Sequence, residues 1–82
     1  MPKLPQVSGS QIVNLLLSLG YSFNRQKGSH ATYEKSAKVG EHTITVPLHK
    51  EITKGTLNDI LNKTSLFNGI SKDDLLARLK KL

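Results

Sequence analysis

Between Gly20 and Pro47 this chain alternates apolar and polar residues, and on either side its apolar residues recur every three or four positions. That change of period confines strands to the middle and helices to the flanks. His42-Thr43-Ile44-Thr45-Val46 alternates without a break and stops at Pro47, which has no N–H to give to a sheet ladder. Ile44, Val46 and Leu48 are therefore expected to face inward, with Thr43 and Thr45 outward. Tyr21 to Gln26 alternates aromatic and polar residues, Lys27-Gly28-Ser29 turns the chain, and His30 opens a second strand. Ala31 and Tyr33 then lie on the core face, and His30, Thr32 and Glu34 on the open one, joined by Thr43, Thr45 and Asn24. The same parity puts Arg25 on the core side with Phe23, so either the strand frays there or the guanidinium snorkels round its end. Tyr21 and Phe23 are expected to pack under the first helix. Ser36 to Gly40 is expected to form a basic, polar loop.

Ser8-Gly9-Ser10 offers an N-cap, and Ile12, Leu15, Leu16 and Leu19 keep helical spacing until Gly20, predicting a helix from about Ser10 to Leu19. Thr53 or Lys54 begins a second helix carried by Leu57, Ile60 and Leu61 and ending near Leu66-Phe67-Asn68-Gly69. Ser71 with Asp74 imitates a capping box before a short third helix with Leu75, Leu76 and Leu79 on its apolar side. The order is α-β-β-β-α-α, an α+β class in which helices cover one face of a three-stranded antiparallel sheet and leave the other wet. At 82 residues there is room for one domain, 1–82, with Met1 to Val7 as a loosely ordered arm.

The chain has no cysteine, which excludes a disulfide framework, a thiolate nucleophile and a cysteine zinc site, and which fits a reducing cytoplasm. Leu15 to Leu17 with Leu19, the longest apolar stretch, is too short to span a bilayer, so a soluble, cytoplasmic protein is expected. Twelve Lys and Arg against six Asp and Glu leave a net charge of +6, and nucleic acid is the first partner such a balance suggests. Arg78, Lys80 and Lys81 fit a solvated helix face. The working region is the middle, where six cations and all three histidines lie between Arg25 and Lys54.

His30 follows the small pair Gly28-Ser29 and has Arg25 and Lys27 nearby. Imidazole both takes and gives protons near neutrality, so a histidine beside cations suits acid/base work on a phosphodiester. Gly28 and Ser29 let the backbone come close to a phosphate, and Ser29, with no relay behind it, is a turn former and not a nucleophile. His49 is the next histidine to consider, against the plainer reading of a strand-end residue satisfied by backbone. His42 reads as surface and Tyr33 as core. The three histidines lack the spacing of a zinc site.

Several segments together resemble one family. Leu19-Gly20-Tyr21, Arg25-Gln26-Lys27, Gly28-Ser29-His30-Ala31-Thr32-Tyr33, Val46-Pro47-Leu48-His49 and Lys54-Gly55-Thr56-Leu57 with Ile60-Leu61 occur in the order found in the HicA toxins, small mRNA interferase partners of HicB antitoxins. The resemblance implies a fold similar to a double-stranded-RNA-binding domain and a toxin ribonuclease needing no cofactor or metal. It implies that His30 carries cleavage, as base or acid. Arg25, Lys27, Gly28, Ser29, Thr32, His49 and Lys54 are the RNA contacts expected with it. The partners implied are mRNA and a HicB-like antitoxin that covers the His30 face in a hetero-oligomer. Two other readings use the same surface: a non-catalytic RNA-binding module, and an adaptor for an acidic protein.

Overall fold

A computed structural model describes residues 6–38 and 40–81. The elements are α1 (Gly9–Ser18), β1 (Ser22–Lys27), β2 (His30–Ala37), β3 (Gly40–Pro47), α2 (Lys54–Asn68) and α3 (Lys72–Lys81), with the strands in one antiparallel sheet of order β1-β2-β3. This is the α+β order expected.

The helix ends follow from local chemistry. Ser8 caps α1 in a reciprocal box, its hydroxyl accepting from the Gln11 N–H while the Gln11 side chain accepts from the Ser8 N–H. Gly20, at φ 96°, ends it. Thr53 caps α2 and Gly69, at φ 65°, closes it in the left-handed region. The Ser71 hydroxyl accepts from the Asp74 N–H at the start of α3.

Ala31, Tyr33, Ile44 and Val46 from one sheet face join Ile12, Leu15 and Leu16 of α1, Leu57, Ile60 and Leu61 of α2, and Leu75, Leu76 and Leu79 of α3 in one buried cluster. All three helices thus contribute to the same side of the sheet, and α3 packs against both α1 and α2. The other face carries Thr32, Thr43 and Thr45, with no helix over it among the described residues. Of the arm expected over Met1–Val7, residues 1–5 lie outside the described residues. Val7 is buried, and its carbonyl accepts from the Ile52 N–H at 2.8 Å.

Four expectations are corrected. Arg25 is not on the core side: the β1–β2 register passes from Phe23↔Tyr33 to Arg25↔Thr32, and this bulge at Asn24 moves Arg25 to the open face. Phe23 keeps its place beside Tyr33, edge to face at 5.7 Å, yet is 54% exposed, because β1 is an edge strand that α1 does not cover. Leu48 has left the ladder after Pro47 and is exposed instead of inward. The basic loop of Ser36 to Gly40 is shorter than expected, since Ser36 pairs with Glu41 and Ala37 with Gly40.

Candidate functional site

The site begins with a two-residue hairpin. Lys27 pairs with His30 across Gly28-Ser29, and Gly28 has φ 60° while Ser29 stays out of the left-handed region. This is the pattern of a type II′ turn, whose twist suits antiparallel strands and whose first central residue is glycine. The side chain of Gln26 donates to the Gly28 carbonyl at 3.0 Å and braces the turn.

Cross-strand partners share a face, so Lys27 and His30, Arg25 and Thr32, and Thr32 and Thr45 all project from the open side. Arg25, Lys27, His30, Thr32 and Thr45 line one shallow depression of about 300 Å³. The hydroxyls of Thr32 and Thr45 lie 3.2 Å apart on its floor, and Arg25, Lys27 and His30 are exposed. Two cations and an imidazole therefore converge where nothing apolar competes with a polyanion. Thr45 joins the depression although it is not among the expected contacts; its outward parity was the available signal.

His49 reaches the same place from beyond β3. His30 sits opposite Pro47 in the β2–β3 ladder, the Leu48 N–H donates to the Ser29 carbonyl at 2.6 Å, and the Gly9 N–H donates to the His49 carbonyl at 2.9 Å. These bonds fasten the segment after Pro47 to the hairpin turn on one side and to the start of α1 on the other. The His49 ring centroid lies 6.2 Å from that of His30, at an interplanar angle of 70°. Lys54 is not part of this group. It lines a separate depression with Gln6, Glu51, Ile52 and Thr53 at the start of α2. Among the described residues no three His, Cys, Asp or Glu side chains gather as a metal site requires.

His42 is the last correction, because it is half-buried at the opposite end of the sheet. It lies across from Lys35, stacks on Phe67 of α2 at 4.5 Å between centroids, and shares a 2.7 Å hydrogen bond between its Nδ1 and the Tyr21 hydroxyl. Asn68 donates to that hydroxyl at 3.1 Å, which leaves the Tyr21 proton for Nδ1 and makes neutral His42 the acceptor. Lys35 donates to Asn68 Oδ1 and to the Leu19 carbonyl at the end of α1, so this cation serves the fold and not the open face. Burial first, and the charge of Lys63 second, hold the His42 pKa below its ordinary value, while burial raises that of Tyr21.

Acid is expected to destabilise the fold through His42. As pH falls through about 6.5 the unfolded chain protonates His42 before the folded chain does, so the unfolded state binds more protons in that window. The contribution is fully present above that value and is lost as pH drops through the lower folded value. Urea midpoints at pH 7.5 and 5.5 should fall further on acidification for the wild type than for His42→Phe, which keeps a ring on Phe67 and does not titrate. Equal falls would show that His42 does not carry the effect.

A family model described as HicA toxin of bacterial toxin–antitoxin systems matches residues 9–66, from the first residue of α1 almost to the end of α2. The chain belongs to the HicA toxins. Neither the curated proteins nor the solved structures gave a match. The toxin family model thus takes in the whole sheet, the hairpin, the depression and His49, and stops short of α3. Among the described residues no helix is long and apolar enough to cross a membrane.

Proposed function

We propose that this HicA toxin is a metal-independent endoribonuclease that cuts mRNA in the cytoplasm, with His30 as an acid/base group. The observation that carries this reading is the depression on the open sheet face, where the exposed His30 imidazole stands among Arg25, Lys27, Thr32 and Thr45. Cleavage of RNA by its own 2′-hydroxyl needs proton transfer at the entering and leaving oxygens and positive charge near the phosphoryl oxygens. Imidazole suits the first requirement, and the two cations suit the second. Gly28 and Ser29 leave the turn open to a phosphate, His49 adds a further polar group beside His30, and Lys54, in its separate depression at the start of α2, offers the RNA a second point of positive charge. A HicB-like antitoxin silences the toxin by covering the His30 face with a surface that complements these cations, in a hetero-oligomer.

The test is induced expression of the chain in a bacterial host, reading growth together with mRNA integrity, beside incubation of purified protein with RNA in chelator. Growth arrest with fragmented mRNA, and cutting that persists in chelator, are expected. Intact RNA that the protein still binds, with affinity falling steeply as salt rises, would replace this reading with the non-catalytic module. Absence of any RNA binding would leave the adaptor.

A further inference from the structure

We propose that His49 is the acid/base partner of His30, the two imidazoles dividing between them the two proton transfers of RNA cleavage. The inference rests on the ribonuclease reading above and adds a residue to its chemistry. In an in-line displacement the 2′-oxygen enters on one side of phosphorus and the 5′-oxygen leaves on the other, so one imidazole cannot serve both at once. As the 2′-O–P bond forms, one ring accepts the 2′-hydroxyl proton. As the P–O5′ bond breaks, the other ring, starting protonated, gives its proton to the 5′-oxygen. The products are a 2′,3′-cyclic phosphate and a 5′-hydroxyl, no co-reactant is consumed, and exchange with water restores the pair.

Three observations point to His49 for the second role. The only other histidine, His42, is half-buried at the far end of the sheet with its Nδ1 and its ring face already engaged. His49 and His30 are both exposed, and their rings stand 6.2 Å apart at a steep angle. Rings so spaced can reach a single phosphodiester laid across the pair, each imidazole serving the oxygen on its own side at the roughly 2.6–3.2 Å that proton transfer requires. Finally, His49 is positioned through its backbone. The carbonyl is held by the Gly9 N–H, and its neighbour Leu48 is held by Ser29, so the ring is placed beside His30 without being used up in placing it. Lys27, opposite His30, and Arg25 stand on the same face to neutralise the non-bridging oxygens.

Single-turnover cleavage of an RNA oligonucleotide across pH tests this with wild type, His49→Ala, His49→Gln and His30→Ala, each checked for fold by circular dichroism. The wild-type profile is expected to be bell-shaped, since one ring must be neutral and the other charged. Both His49 variants should cut about 10²–10⁴-fold more slowly and lose one limb of the bell, a loss of rate far larger than any loss of RNA affinity. A substrate with sulfur in place of the bridging 5′-oxygen, whose thiolate leaves without a proton, should restore cleavage to whichever variant lost the acid and not to the one that lost the base. Folded His49 variants with the whole bell intact and a rate within about threefold of wild type, while His30→Ala is inactive, would overturn the pairing and leave the ribonuclease reading standing. Weaker RNA binding at an unchanged rate would likewise overturn it, making His49 a contact only. A wild-type chain that cuts no RNA would overturn both.

Discussion

Purified His30→Ala protein is expected to cleave RNA about 10²–10⁴-fold more slowly than wild type, the span that a single well-placed proton-transfer group contributes. The fold should hardly notice. His30 is exposed, it joins the sheet through backbone pairing to Lys27 and Pro47, and among the described residues the aromatic ring beside its own is that of His49. Removing such a side chain changes stability by no more than about 0.5 kcal/mol. A single-turnover rate and a thermal melt on the same preparation therefore separate chemistry from folding. On the proposed reading a residual rate is expected, because Arg25 and Lys27 would remain to bind and neutralise the phosphate. A variant that melts normally and cuts at the wild-type rate would remove His30 from the chemistry.

Gly9→Ala is expected to be the most damaging small substitution, lowering unfolding free energy by about 2–4 kcal/mol. A Cβ at Gly9 would stand 2.2 Å from the Pro47 carbonyl oxygen and 2.8 Å from the Leu48 Cα. Both are backbone atoms, so relief requires the start of α1 to move off the exit of β3. That movement stretches the 2.9 Å bond from the Gly9 N–H to the His49 carbonyl, so the site should suffer with the fold. In a domain of this size each kcal/mol corresponds to roughly 4–8 °C in Tm. Gly55→Ala is the contrasting case. It lies in the first turn of α2 with nothing within 4 Å of a new Cβ, and alanine there should raise stability by about 0.4–1 kcal/mol. Melting both proteins checks the argument; equal shifts of the same sign would show that close packing at Gly9 is not what the glycine is for.

Legibility in the sequence followed the range of the interaction. Strand parity puts His30 on the open face, where it lies, because parity is local and β2 pairs with β3 without interruption along its whole length. Parity puts Arg25 on the wrong face because it fails at a bulge, and the bulge at Asn24 is a property of how β1 meets β2, not of β1 alone. The same limit applies to Phe23, whose alternation was right and whose burial was not. Nothing within β1 says that it lies at the sheet edge, beyond the cover of α1.

The histidines divide in the same way. His42, near the start of β3, and His49, just beyond its end, look alike in the sequence, each a polar residue flanking an apolar alternation. Their fates differ because Phe67, from α2, folds over one end of the strand, while the segment from Leu48 to His49 is fastened to the hairpin turn and to α1 at the other.

What the sequence determined by itself is the order of the elements, the helical side of the core and the face of the sheet to which His30 belongs. Each of these rests on periods of two or of about three and a half residues and on caps that act within one turn of chain. Tertiary structure alone decided which groups surround His30. Arg25 arrives by a bulge, Thr45 by the register of β3, and His49 by the bond of its own carbonyl to Gly9 and that of its neighbour Leu48 to Ser29. Such neighbours are chosen when distant segments pack, and no local period records that choice.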